Sequence, residues 1–153
     1  GGLARRAGLF NRYRELGKPR IIIAGPYEFL ADDPYSYGTP DTVPSAASPL
    51  PPAEEGRRSV QAQTLLRVDV GWLSPRAASW MKASAGKTPP GYQVVDAEPV
   101  SRIIDTRLGK VGVLLFPQGP VPGRAPTPAQ EQKVLAAGRA LRGQTVLLLG
   151  VSP

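Results

Sequence analysis

The chain of 153 residues contains no cysteine and no histidine. These two absences exclude disulfides, thiolate nucleophiles, Cys/His zinc sites and every catalytic dyad or triad that needs an imidazole. Any catalysis must come from carboxylates, hydroxyls, lysine or arginine. Aromatic residues make up only 7% of the chain and methionine occurs once. No apolar run approaches the roughly 20 residues of a membrane-spanning helix, and no stretch has the form of a secretory leader. The start at Gly1-Gly2 reads as a processed or engineered end. What abounds is proline, with 18 residues, and glycine, with 17, a loop-rich composition that an all-helical bundle would not tolerate. Hydrophobic residues at 41% and charged residues at 20% suit one globular domain over residues 1–153.

The formal net charge is +7, and arginine outnumbers lysine 14 to 5. The excess is local, because Arg5, Arg6, Arg12, Arg14, Lys18 and Arg20 face only Glu15 in the first twenty residues. A single-strand nucleic-acid binder would interleave such cations with aromatics. Tyr13 alone is placed to help, and no base-reading motif follows. The arginines therefore read as the solvated face of a helix, with a basic nucleic-acid-binding module as an alternative function.

Leu3, Ala7, Phe10 and Tyr13 recur at helical spacing and predict an amphipathic helix over 3–16, stopped by Gly17 and Pro19. Residues 20–25, RIIIAG, are apolar at successive positions, as in a strand covered on both faces. A Pro-rich loop insert follows at about 32–58; a PxxP ligand over 49–52 is the lesser reading beside a linker. Beyond it the pattern predicts a helix over 60–68, a strand over 69–73, a short helix over 76–83 burying Ala77, Trp80 and Met81, and a strand over 92–97. Segments 100–106 and 110–116 form a hairpin turning at Arg107-Leu108-Gly109. Thr127-Pro128 caps a helix that runs to Arg142, with Val134, Leu135, Ala137, Gly138 and Leu141 inward. Residues 146–149 are the last buried strand. The expected fold class is α/β, a mixed, largely parallel sheet flanked by helices. Gly109-Lys110 lies inside the hairpin and Lys87-Thr88 lacks its upstream glycine, so neither is a phosphate loop.

Taken in order, GGLARRAGLFNRYREL (1–16), IIIAGP (21–26), DVGWLSPRA (69–77), RIIDTRLGKVGVLLF (102–116) and AAGRALRGQTVLLLGVSP (136–153) resemble segments of the calcineurin-like metallophosphoesterase domain. The family is the 5'-nucleotidase/UDP-sugar hydrolases. The resemblance implies a metallo-dependent-phosphatase-like fold whose first strand, with its Asp-x-His motif, is missing here; the stop at Pro153, directly after a buried strand, reads as truncation. It also implies an envelope or periplasmic location. Members hold two metal ions at strand ends, and this chain departs from them at each place that can be compared. Pro26 stands for the Asp of Gly-Asp, Pro75 falls within the stretch replacing Gly-Asn-His-Glu, and Pro153 stands for the His of Ser-His. A proline side chain donates nothing to a metal, and its nitrogen donates nothing to a phosphate. Two-metal hydrolysis clamps the attacking and leaving oxygens between cations. Without ligands the resemblance implies a pseudoenzyme with no cofactor and no catalytic residue, serving as a binding or structural module for a small molecule or protein. The alternative is a metal-dependent phosphoester hydrolase whose remaining ligands lie outside this chain.

Ligands of parallel α/β sheets sit beyond the carboxyl ends of the strands. Those loops carry Tyr27, Glu28, Asp32, Asp33, Trp72 and Arg76 as candidate pocket residues. Glu28, Asp32 and Asp33 form the one carboxylate cluster there, suited to a hard cation or to ordinary turn chemistry. Tyr27, Phe29, Tyr35, Tyr37 and Trp72 could form an aromatic mouth, or Phe29 and Trp72 could fill core.

Overall fold

The computed structural model describes residues 2–17, 20–26, 28, 29, 31, 50–117 and 126–152. Tyr27, Asp32, Asp33, Tyr35, Tyr37, Pro153 and residues 32–49 of the Pro-rich insert lie outside them.

Helix α1 (Gly2–Glu15) leads to the short strand β1 (Ile23–Ala24). Helix α2 (Ala53–Leu66), strand β2 (Val70–Leu73), helix α3 (Pro75–Ala85) and strand β3 (Tyr92–Val94) follow. The second half contains β4 (Val100–Thr106), β5 (Gly109–Leu115), α4 (Pro128–Arg142) and β6 (Leu147–Val151). The α/β class is observed. The single mixed sheet expected from the sequence is not, because the strands divide into two three-stranded sheets, ordered β1-β2-β3 and β4-β5-β6. The first is wholly parallel, with Ile23 opposite Val70 and Gly71 opposite Tyr92. In the second, β5 pairs antiparallel with β4 and parallel with β6.

Side-chain alternation explains the division, since successive residues of a strand face opposite ways. One face of the first sheet, with Ile22, Ala24, Leu73 and Tyr92, packs against Val60 and Leu66 of α2 and Ala77, Trp80 and Met81 of α3. Ala7 and Phe10 bring α1 onto the same face. The other face sends Val70 and Trp72 into Val113 and Leu115 of β5, joined by Ile23, Ile104 and Val151. The opposite side of β5 receives α4, whose Gly138 looks onto Leu114 and Leu148. The chain is therefore layered helices, sheet, sheet, helix. A strand apolar on both faces announces that it is covered twice; it does not say whether by helix or by sheet.

Several boundaries differ from expectation for local reasons. Helix α2 starts at Ala53, so the insert stops before residue 58. Its first turn is EEGRR, which lacks apolar period but is tied by Arg57 and Arg58 to Glu54 and by Arg58 to Glu55, with both acids favourably placed at the helix start. Strand β6 is half-exposed rather than buried; among the described residues it pairs with β5 alone and forms the sheet edge. On α4, Leu135 points outward, 51% exposed. On α1, Tyr13 is 54% exposed; Arg14 turns inward instead and donates to the carbonyls of Leu66 and Arg67, the latter at 3.1 Å. Those carbonyls end α2, so the guanidinium satisfies acceptors that the helix leaves over. Arg14→Ala is expected to lower stability by about 1–2 kcal/mol, read as a lower urea midpoint; an unchanged midpoint would dismiss the cap.

Candidate functional site

Strands β1 and β2 lie side by side and parallel, so their carboxyl ends open on one edge of the first sheet. Ala24 is followed by Gly25-Pro26, and Leu73 by Ser74-Pro75-Arg76. The end of β6 reaches the same edge through a short relay. The indole N–H of Trp72 donates to the Phe116 carbonyl at 3.0 Å, and the Phe116 N–H donates to the Val151 carbonyl at 2.8 Å. The ends of β1 and β2, which lead to Pro26 and Pro75, thus lie side by side, and the exit of β6 toward Ser152 joins them.

A helix N-terminus at this edge is the usual place for an anion. Here α3 closes its own. Ser74 is the N-cap and its hydroxyl accepts from the Ala77 N–H at 2.9 Å, while Pro75 occupies the first turn without an N–H to offer. The neighbouring side chains are also engaged. The Arg76 Nε donates to the Ala31 carbonyl at 3.0 Å, tying α3 to the segment after β1. Glu28, in that same segment, pairs with Arg6 of α1 at 2.7 Å. Trp72 is 1% exposed and lies between the sheets, on the face away from Glu28 and Phe29. Of the six candidate residues, the structure places Glu28 and Arg76 around one loop and Trp72 in the core behind it; Tyr27, Asp32 and Asp33 fall outside the described residues. Among the described residues no group of three or more acidic side chains converges as a metal site. Among the described residues the donor set at this edge does not fit two cations, because two of its strand ends carry proline and Glu28 is paired with Arg6.

Neither a protein-family model, nor a curated protein, nor a solved structure matches this chain.

Behind the edge lies a buried polar pair that the sequence pattern did not single out. The Tyr92 ring covers Gly71 and meets Phe29 edge-on at 5.3 Å between centroids. Its hydroxyl donates to the Gln63 Oε1 at 2.9 Å. Gln63 is three residues from both Val60 and Leu66, so it shares the buried stripe of α2, the one signal that could have found it. Burial chiefly, and then the charge of Glu28, push the Tyr92 phenol above its ordinary value, with Arg6 opposing. The Glu28 hydrogen bond, and next its charge, hold Arg6 above its own ordinary value. The phenol stays protonated in the folded chain after the unfolded chain has begun to ionise near pH 10. Stability is therefore intact below about pH 10 and falls above it, by up to ~1.4 kcal/mol per pH unit. Tyr92→Phe should flatten that decline in urea melts between pH 9 and 11; a parallel decline would assign the loss to other groups.

Proposed function

We propose that this chain is a non-catalytic, 5'-nucleotidase-like module, a metallophosphoesterase fold whose metal positions have been given over to proline. It serves as a binding or structural element for a small molecule or another protein, and the envelope location implied by the same resemblance is part of the proposal. The observation that carries it is the convergence of the β1, β2 and β6 ends on one edge where Pro26 and Pro75 stand. Helices outside two stacked sheets are compatible with the resemblance. So is the self-capped start of α3, which withholds the N–H groups a phosphate would use.

The hydrolase alternative needs ligands from elsewhere at an edge where Ser74, Arg76 and Glu28 are already engaged. The nucleic-acid alternative loses support from two of its cations, since Arg6 is paired with Glu28 and Arg14 caps α2. The test is hydrolysis of AMP and nitrophenyl phosphate with manganese, zinc or magnesium present. Rates indistinguishable from buffer are expected; metal-dependent turnover that scales with protein concentration would reject the reading.

A further inference from the structure

The opposite end of the two-sheet layer has a different character. A hollow of about 400 Å³ opens between the approach to β1 and the start of β6, lined by Arg20, Ile21, Leu108, Val111, Leu147 and Leu149 among others. Its volume is in the range of ligand pockets, and its walls are almost wholly aliphatic. Around it Leu108 is 76% exposed and Val146 is 70% exposed, an unusual concentration of uncovered apolar surface.

Beside the hollow runs a sheet edge that no described residue pairs with. The Ile22 carbonyl accepts from the Asp69 and Val70 N–H groups at 2.9 and 3.3 Å. The Ile22 N–H donates to the Asp69 carboxylate at 2.7 Å. Residue 22 thus turns its main chain toward β2. Alternation directs the N–H and C=O of Ile21 and Ile23 the other way, to an edge where no described residue bonds them. The side chain of Ile23 packs into the inter-sheet core and Ile21, two residues earlier, lines the hollow. A row of main-chain donors and acceptors therefore borders an apolar floor. Such a pair of features suits an extended strand with every second side chain apolar.

Charge narrows the occupant. Arg20 lines the hollow, and Arg107 at the hairpin tip donates to the Gly17 carbonyl at 3.3 Å. Neither has a carboxylate partner among the described residues, whereas the nearby Lys110 is paired with Asp105. We propose that the outer edge of β1 is a docking site for an extended peptide in which apolar residues alternate with acidic ones. The peptide adds as a fourth strand to the first sheet. Its apolar side chains rest on Leu147 and Leu149, and its carboxylates meet Arg20 and Arg107 at the rim. This site lies at the other end of the strands from the proline-bearing turns, so it stands or falls independently of the phosphoesterase reading.

The probe is a blocked, fluorescently labelled octapeptide of alternating valine and glutamate, titrated into the full chain by anisotropy. Saturable binding is expected. The same peptide N-methylated on alternate residues should bind at least about tenfold more weakly, because it cannot donate to the edge. Ile21→Pro removes an outward N–H without touching the β1–β2 bonds, and Leu147→Glu charges an already exposed part of the floor. Each should weaken binding by a similar factor while leaving the near-ultraviolet circular dichroism of the buried tryptophans unchanged. Three results would overturn the proposal. One is equal affinity for the N-methylated peptide. Another is no binding of the octapeptide while dodecanoate binds, which would make the hollow an amphiphile site. The third is a dimer of the chain that Leu147→Glu dissociates, which would make a second copy the occupant.

Discussion

Trp72→Ala should cost about 3–5 kcal/mol of folding stability, the largest loss expected from truncating one side chain in this chain. The indole is the largest side chain between the two sheets, and Val70, Val113 and Leu115 pack in the same cluster. Its removal leaves a cavity that β-sheets on both sides cannot collapse to fill. It also orphans the Phe116 carbonyl at the point where β5 meets the end of β6. The two contributions separate in Trp72→Phe, which retains most of the apolar volume and loses the donor; about 1–3 kcal/mol is expected there. Urea denaturation of both variants measures the difference. A loss below ~1 kcal/mol for the alanine variant would mean that the sheets are not stacked across this residue.

Gly91→Ala should be nearly as damaging although it adds only a methyl group. Gly91 has a φ of 83° and ends the turn into β3. A Cβ there would collide with the Val68 carbonyl oxygen, a main-chain atom that cannot swing aside. Left-handed geometry alone costs about 1–2 kcal/mol for an L-residue. The clash must then displace the turn whose Gly91 carbonyl accepts the Gly71 N–H at 3.1 Å and whose next residue is the buried Tyr92. A total loss of about 3 kcal/mol or more is expected. Gly86→Ala supplies the control, because Gly86 has a φ of 71° with open space around its Cβ, and only the dihedral cost of about 1–2 kcal/mol should be lost there. Equal losses at the two positions would remove the steric argument and leave only the dihedral one.

Elements with strong punctuation were legible in the sequence. Thr127-Pro128 placed the start of α4 because the hydroxyl and Gln130 complete a capping box, and the hairpin is where the pattern put it, although its turn is the two residues Arg107-Leu108 and Gly109 already pairs with Thr106. The inward residues of α3 followed from spacing alone, with Ala77, Trp80 and Met81 all buried. Other features depended on partners distant in the chain. Nothing near Arg14 signals that it turns inward, since its acceptors are 52 and 53 residues away. The doubled apolar faces of β2 and β5 fit helices or a second sheet equally well, so the stacking of the sheets could not be read locally. At the candidate site, proline at the turns was legible residue by residue. The pairing of Glu28 with Arg6 and the anchoring of Arg76 to Ala31 were not, because each joins separate elements. The exposed inner face of β6 was missed for the same reason: a run of aliphatic residues does not disclose which side of it is left uncovered.

The most direct measurement of the central claim is isothermal titration of manganese and of zinc into the full chain, followed by metal analysis after gel filtration. Proline at the adjoining ends of β1 and β2, with the local carboxylate held by Arg6, should give no saturable heat and no metal carried through the column. Two equivalents retained with micromolar or tighter affinity would contradict the account, because such uptake requires donors that the described residues of this edge do not offer.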